Sequence, residues 1–243
     1  MRWTRRLAAL AAEGWGTLFV PHRGFSGRPV RPSKAVRVLR TFLAGAGGLW
    51  GRMRLAVLLL SLALPAAAQE VRPADQERLG YFDEHLGRAL RAALAGGAPE
   101  DVAVLTQALA GLPRGDLDPS GDWRCRTLKL GGLTPLTAYA DFDCRITPKG
   151  PGAWRLEKLT GSQRVAGTIT ATQGGTYFTG VGHVGDAPAA GYAALDPFDQ
   201  TPLEPNQTHA VVGLFEQPAP DRARLMEPAP ILESAFDVLY LTR

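Results

Sequence analysis

Apolar residues recur every three or four positions in two stretches after residue 72, which is the spacing of one helix face. The first stretch, 73–94, opens with a proline and acidic residues and ends before two glycines, so a helix is predicted there. The second stretch, 99–112, opens in the same way, and Pro113 ends it. We therefore predict a helical hairpin over residues 69–113, in which each helix has one apolar stripe to cover.

After residue 113 the pattern changes to short stretches in which apolar and polar residues alternate, separated by Gly, Pro and Asp. Such alternation is typical of half-buried strands. Strands are predicted at 122–130, 136–147, 153–159, 164–171, 175–182, 209–216, 222–227 and 236–242. The predicted fold class is α+β, mainly β: over residues 114–243, an antiparallel barrel-like domain or two-sheet sandwich of about eight strands, preceded by the hairpin. Residues 185–207 show no period and are predicted to form a long surface loop or a lid.

The net charge of the whole chain, +4, first suggests an anionic partner such as nucleic acid. The positive charge is concentrated at the start, because residues 1–52 contain ten Lys/Arg and one acidic residue. Residues 69–243 contain 16 Lys/Arg and 22 Asp/Glu, a net charge of −6. Since phosphate contacts dominate nucleic-acid binding, no nucleic-acid partner is expected for this acidic part.

Residues 53–68 have the pattern of a secretory signal peptide. They begin with Met-Arg, continue with an apolar run of about ten residues and end in Ala-Ala-Ala, and the run is too short for a spanning helix. Cleavage is predicted after Ala68, giving a periplasmic or secreted protein with no membrane span. Residues 1–52 are then interpreted as an upstream reading of the frame that is not translated; the alternative is a basic extension on an uncleaved anchor.

The sequence contains two cysteines, Cys125 and Cys144, one on each of the first two predicted strands. In an exported protein such a pair is more often bridged than catalytic or metal-bound. We predict a disulfide that closes a loop of about 20 residues and stabilises the fold by about 3 kcal/mol. Alternate positions of 136–146 are expected to share one buried face. The predicted register sets Cys125 opposite Cys144, Trp123 beside Ile146 and Arg126 opposite Asp143.

Four segments of the chain resemble a family of exported bacterial proteins catalogued as domain of unknown function 4893. The segments are 121–132, 144–146, 156–164 and 236–241, and the resemblance covers roughly residues 73–243. It implies export and a single domain, and it brings no activity, cofactor or catalytic residue. A weaker similarity lies in Gly121-Asp-Trp123, which is similar to the opening of lipocalin-like barrels and of barrel-shaped exported protease inhibitors. The alternative for Trp123 is an ordinary core position.

Candidate chemistry is concentrated in the polar stretch 160–164. A polar turn between two strands explains it well, since glycine at 161 permits the bend. Its side chains could also form a small anion-binding or partner-binding patch anchored by Arg164. The possible binding residues are Trp123, Thr160, Ser162, Gln163, Arg164 and His183. No catalytic residue is assigned. His183 and Asp186 have no third ligand nearby in the sequence, so no metal or other cofactor is expected.

The predicted function is that of an exported, non-enzymatic binding module that is cross-linked by one disulfide. Its partner would be a small molecule or another protein of the cell envelope. Two alternatives remain open from the sequence: an inhibitor of an exported protease, and a hydrolase-type enzyme with a site near Ser162, Arg164 and His183.

Overall fold

The computed structural model describes residues 70–116, 118–186 and 188–243. In this part, the chain forms three α-helices followed by eight strands. The helices are α1 (Pro73–Gly80), α2 (Phe82–Gly96) and α3 (Pro99–Leu109). The predicted leader (1–52) and signal peptide (53–68) lie outside the described residues. No helix in the described part is long and apolar enough to cross a membrane.

The eight strands form one closed antiparallel barrel. They are β1 (Gly121–Leu130), β2 (Leu136–Gly150), β3 (Ala153–Lys158), β4 (Gln163–Thr172), β5 (Gly175–Val184), β6 (His209–Ala219), β7 (Arg222–Pro228) and β8 (Phe236–Thr242). Each strand pairs with the next, and β8 pairs with β1. The predicted fold class is confirmed, and of its two forms the barrel is the one adopted.

The helices cover part of the outer wall, and they differ from the prediction at one point. Tyr81 separates α1 from α2, so the single helix predicted over 73–94 is two helices. Gly80 precedes the break, and glycine weakens a helix interior. Apolar residues join α2 and α3 to β1, β2, β7 and β8: Ala89, Ala93, Leu105 and Ala108 on the helices, and Leu128, Leu130, Leu136, Met226, Phe236 and Val238 on the strands.

The predicted disulfide between Cys125 and Cys144 is confirmed, but the predicted register is wrong by two residues. Trp123 lies opposite Cys144, and Cys125 lies opposite Phe142. The two cysteines are therefore diagonal neighbours, with their Cα atoms 5.8 Å apart. A diagonal pair of this kind is close enough to be bridged. The same shift sets Arg126 opposite Asp141 instead of Asp143.

The single buried face predicted for 136–146 is also wrong, because β2 contains a bulge. Arg126 pairs with Asp141, whereas two residues later Leu128 pairs with Ala138. The extra residue in β2 reverses the direction of the side chains on either side of it. Leu136 consequently packs on the helices outside the barrel, while Cys144 packs inside it.

The long stretch 185–207 packs against the outer wall of the barrel. It contains one 3₁₀ turn, Tyr192–Ala194. Tyr192 and Leu195 are buried against Val181, Ala210 and Val212 of β5 and β6. The apolar contacts explain why a loop with no hydrophobic period is nevertheless ordered along the wall.

Candidate functional site

The interior of the barrel is divided into two halves of opposite chemistry. The first, which we call the apolar half, is filled by buried side chains from every strand. They include Trp123, Cys125, Cys144, Ile146, Leu156, Ile169, Phe178, Phe215, Ala223 and Leu241. The indole Nε1 of Trp123 donates to the carbonyl of Pro119 at 2.8 Å, and the guanidinium of Arg243 lies 4.2 Å from its ring centre. Trp123 therefore packs as part of a filled core.

The second, charged half continues the same inner faces with ionisable side chains. Lys129 lies on the same face of β1 as Cys125, and Asp237 on the same face of β8 as Leu239, because side-chain direction alternates along a strand. Lys158, Gln163, His209 and Glu227 line the same space from β3, β4, β6 and β7. They surround a cavity of about 60 Å³, which we call the charged cavity. It has room for a few water molecules or one small organic molecule.

An arginine from outside the barrel completes the wall of this half. Pairing between β6 and β7 extends only as far as Leu214 and Met226. Beyond that point, Arg78 of α1 donates to the carbonyl of Ala210 on β6 at 3.3 Å and to the carbonyl of Pro228 on β7 at 3.2 Å. Its guanidinium therefore bridges β6 and β7 at a point where the two strands are no longer paired with each other.

A buried carboxylate holds Arg78 in this position. Asp75, fully buried on α1, lies 3.0 Å from guanidinium nitrogens of both Arg72 and Arg78. The hydroxyl of Tyr192 donates to it at 2.8 Å, and the amide of Gln200 donates at 3.0 Å. These partners satisfy a charge that would otherwise be costly to bury.

Two carboxyl groups of the charged half face each other across the β7–β8 ladder, Glu227 and Asp237. Burial raises the pKa of Glu227, and the negative charge of Asp237 raises it further. Burial also raises the pKa of Asp237 to about 6, against the attraction of Lys129. The ammonium of Lys129 lies 2.9 Å from Glu233 and 3.9 Å from Asp237. Burial opposes its charge, but these carboxylates outweigh burial, and the pKa of Lys129 is raised.

Lys158 is buried in the same half without a carboxylate partner among the described residues. Its ammonium donates to the carbonyls of Thr160 at 3.1 Å and Gln163 at 2.6 Å, and it lies 3.7 Å from the ring centre of Phe142. Its pKa is lowered to about 8, mainly because burial disfavours the charged form and also because Arg164 is near. Perturbed pKa values of this kind are frequent at functional sites.

His209 lines the charged cavity, and its ring is held by the main chain. Its Nδ1 lies 2.7 Å from the carbonyl of Gln207, and a carbonyl only accepts, so the neutral ring carries its hydrogen on Nδ1. The ring lies over Gly182, where a Cβ would come within 2.5 Å of Nε2. Burial lowers the pKa of His209. In the neutral ring, Nε2 is thus the acceptor nitrogen.

A second space, the outer recess, adjoins the charged cavity. It measures about 180 Å³ and is lined by Thr127, Lys129, Tyr139, Phe142, Lys158, Ser162, Gln163 and Glu233. Thr127, Lys129, Lys158 and Gln163 line both spaces. Because the recess shares these four residues with the cavity and is also lined by Glu233, whose side chain is 41% exposed, we refer to it as the entrance.

Of the four predicted binding residues in 160–164, Ser162, Gln163 and Arg164 line the cavity or the recess. Gln163 lines both spaces, and Ser162 lines the recess. The hydroxyl of Thr160 accepts a hydrogen bond from the main chain of Asp143 at 2.8 Å. Arg164 is held by Asp186 at 2.6 Å. A role of these four residues in binding stays a prediction.

His183 lies beside Arg164 on the neighbouring strand. Its Nδ1 is buried and has no hydrogen-bond partner among the described residues. No hydrogen bond joins it to Ser162 in this part of the chain. The described residues also contain no group of three His, Cys, Asp or Glu side chains arranged to hold a metal ion. The geometry therefore brings the proposed hydrolase residues near one another without linking them.

Most residues of the charged cavity do not stand out in the sequence. Lys129, Lys158, Glu227 and Asp237 each stand at the end of a strand, where a charged residue looks like an ordinary solvent-exposed terminus. One signal is present: Lys158, Glu227 and Asp237 each continue a face whose residues two and four positions away are apolar, and Lys129 continues the face of Cys125. Arg78 carried no such signal, because its position depends on how α1 meets the barrel.

The fold and site define a class of protein: an eight-stranded antiparallel barrel with an internal disulfide, a helical cover and a charged cavity at one end. The comparison with protein families agrees with the sequence resemblance. The family described as domain of unknown function DUF4893 matches residues 68–241, and the chain belongs to it. No curated protein and no solved structure matches the chain.

Proposed function

We propose that this protein is an exported, non-enzymatic binding module and that its ligand site is the charged cavity. The observation that carries the proposal is the enclosed group of ionisable side chains at one end of an otherwise apolar barrel interior. Replacing buried charges by well-packed apolar residues is often neutral or stabilising. Stability alone therefore gives little reason for this half to be charged.

The size and chemistry of the cavity favour a small polar ligand. Pockets for drug-sized apolar ligands measure about 300–1,000 Å³, whereas this cavity measures about 60 Å³. The apolar half offers no alternative, since Trp123 and Phe178 are buried within its packed core. The ligand is then a molecule of a few heavy atoms that reaches the cavity through the outer recess.

Export is supported by two features of different kinds. Residues 53–68 have the signal-peptide pattern with cleavage after Ala68. The disulfide between Cys125 and Cys144 is buried in the core, and disulfides persist mainly in oxidising compartments. A periplasmic or secreted location follows as part of the proposal.

Native mass spectrometry of the protein isolated from the envelope of its source cells tests the proposal. We expect the mass of residues 69–243 less two hydrogens, together with a species that carries a small bound molecule. A peptide from residues 1–52 in the isolated protein would contradict the processing. For the site, polar compounds extracted from the envelope should saturably shift the NMR signals of Thr127, Lys129 and Lys158. Saturable shifts confined to the outer surface would contradict the assignment of the cavity.

The same material separates the two alternatives. Slowing of an exported protease at stoichiometric amounts would identify an inhibitor. A hydrolytic activity that disappears when Ser162, Arg164 or His183 is changed to alanine would identify an enzyme. Either result would replace the proposed function.

A further inference from the structure

We propose that the ligand of the charged cavity is a small organic anion of the carboxylate class and that the ammonium group of Lys158 holds it. This inference rests on the proposed function, because it names the ligand of the same cavity. It is carried by the charges of the cavity, by the geometry around Lys158 and by a carboxylate that already occupies the entrance.

Lys158 is the one cation lining the cavity that has no carboxylate partner among the described residues. Arg78 lies 3.2 Å from Glu227, and Lys129 lies 2.9 Å from Glu233 and 3.9 Å from Asp237. Lys158 is as deeply buried as Lys129, at 6% exposure, but the oxygens that it contacts belong to neutral main-chain carbonyls. Burying an ammonium group is costly unless an opposite charge balances it. An anion in the cavity supplies that charge.

The carboxyl groups of the cavity are engaged elsewhere. Burial raises the pKa values of Glu227 and Asp237, so both carry less negative charge near neutral pH than exposed carboxyl groups do. Arg78 lies within ion-pair distance of Glu227 and Asp75. Besides burial, two neighbouring charges lower the pKa of Lys158, those of Arg164 and Lys129, and both are positive.

The position of Lys158 suits an anchor. An ammonium group has three N–H donors, and two of them are directed to the carbonyls of Thr160 and Gln163. The third has no oxygen partner among the described residues, and Lys158 lines both the charged cavity and the outer recess. The face of the Phe142 ring, 3.7 Å from the ammonium nitrogen, orients the group further.

The entrance already accommodates a carboxylate of the chain itself. The carboxylate of Glu233 lies 2.9 Å from the ammonium of Lys129, and the amide of Gln163 donates to it at 3.3 Å. Both partners also line the charged cavity. The site thus binds the functional group that we assign to the ligand, while the negative charge of Glu233 opposes the entry of a second anion.

A matched pair of probes tests the inference on the unmodified protein. Acetate and acetamide have nearly the same size and shape, and acetate alone is charged. NMR titration should show saturable shifts at Lys158 and Gln163 with acetate, and binding of acetamide should be weaker by about tenfold or more, since hydrogen bonds to charged groups are the stronger class. Equal binding of the two probes would overturn the inference.

Single-residue variants test whether acetate binds at Lys158. Lys158→Met should weaken acetate binding by about tenfold or more. Lys149→Met is the matched control, because it removes the same charge from an exposed lysine of β2 whose ammonium donates to Thr168 at 3.0 Å; acetate binding should be unchanged. Glu233→Gln should strengthen binding, and it keeps the test informative if Lys158→Met does not fold. Acetate binding that survives Lys158→Met, or that falls in Glu233→Gln, would overturn the inference.

The outcomes separate this inference from the proposed function. If an uncharged polar compound shifts the cavity signals and acetate does not, the cavity is a binding site and the anion assignment is wrong. If neither the envelope extract nor acetate shifts them, both proposals fall. Acetate shifts that depend on Lys158 support both.

Discussion

The apolar and charged halves of the barrel interior are built on the same strands, and their contributions to stability differ. Cys125 and Lys129 lie on one face of β1, yet Cys125 belongs to the apolar half and Lys129 to the charged half. Burying apolar area stabilises a fold by about 25 cal/mol per Å². Burying ion pairs is close to neutral, because desolvation offsets their attraction. The apolar half should therefore dominate folding stability.

In the charged half, the network of hydrogen bonds and ion pairs adds little stability, but it holds the side chains in fixed positions. Arg78 is held by Asp75 and in turn bridges the carbonyls of Ala210 and Pro228 where β6 and β7 separate. Side chains held by several hydrogen bonds are pre-organised for binding. The difference between the halves thus gives three ways to test which one stabilises the fold and which one responds to conditions.

The largest expected effect is in the apolar half. Phe178 is fully buried among core residues, so Phe178→Ala removes a large side chain and leaves a cavity that the barrel cannot close. We expect the free energy of unfolding to fall by about 3–5 kcal/mol. Urea denaturation followed by tryptophan fluorescence measures the change.

Phe198→Ala is the control for this prediction, because Phe198 is 75% exposed in the loop outside the barrel. Its effect should stay within about 0.5 kcal/mol. A loss in Phe178→Ala no larger than that of the control would show that the apolar half is not the stabilising one.

The disulfide is expected to contribute a somewhat smaller amount to the same half. The double variant Cys125→Ala/Cys144→Ala opens a link between residues 19 positions apart. Loss of the constraint on the unfolded chain should lower the free energy of unfolding by about 3 kcal/mol. Thermal unfolding with and without a reductant checks the cause, since reductant should destabilise the wild-type protein and leave the double variant unchanged. Equal sensitivity of the two proteins would contradict the assignment.

The barrel could be predicted from the sequence because the pattern that indicates a strand lies within the strand itself. Alternation of apolar and polar residues places all eight strands within a few residues of their observed ends. Register is different, since it depends on the partner strand and on the bulge in β2 near Tyr139, which no local pattern marks. The break at Tyr81 was missed for a related reason: one apolar stripe runs through both helices.

The site could be predicted only in part, and the physical reason is long-range contact. Gln163 and Ser162 were found because polar residues cluster within one short stretch. Arg78 and Glu227 are 149 positions apart, and nothing in either local sequence indicates the other. Lys158 looks like the exposed end of a strand until the neighbouring strands enclose it. Contacts between charged residues that form only when the barrel closes therefore cannot be predicted from the local sequence pattern.

The smallest expected effect for a single change of condition is in the charged half, where stability changes gradually with pH. Burial raises the pKa of Glu227 from 4.5 to about 8, with Asp237 adding to the shift. Between these two values the folded protein binds more protons at this position than the unfolded chain does, so the contribution of Glu227 to stability falls as pH rises. Glu227→Gln cannot titrate and should lack this fall. Relative to the variant, the stability of the wild-type protein should fall by at most about 1.4 kcal/mol for each pH unit in this window, because one pKa unit corresponds to that free energy.

Urea denaturation of both proteins at several pH values between 4.5 and 8 measures the difference. Glu100→Gln, which removes a negative charge from the exposed start of α3, serves as the reference for the loss of one surface charge. Parallel stability curves for wild type and Glu227→Gln would mean that Arg78 and Lys129 keep Glu227 ionised throughout. In that case the charged half would be a fully paired ion cluster, and its contribution to stability would no longer differ from that of the apolar half in its response to pH.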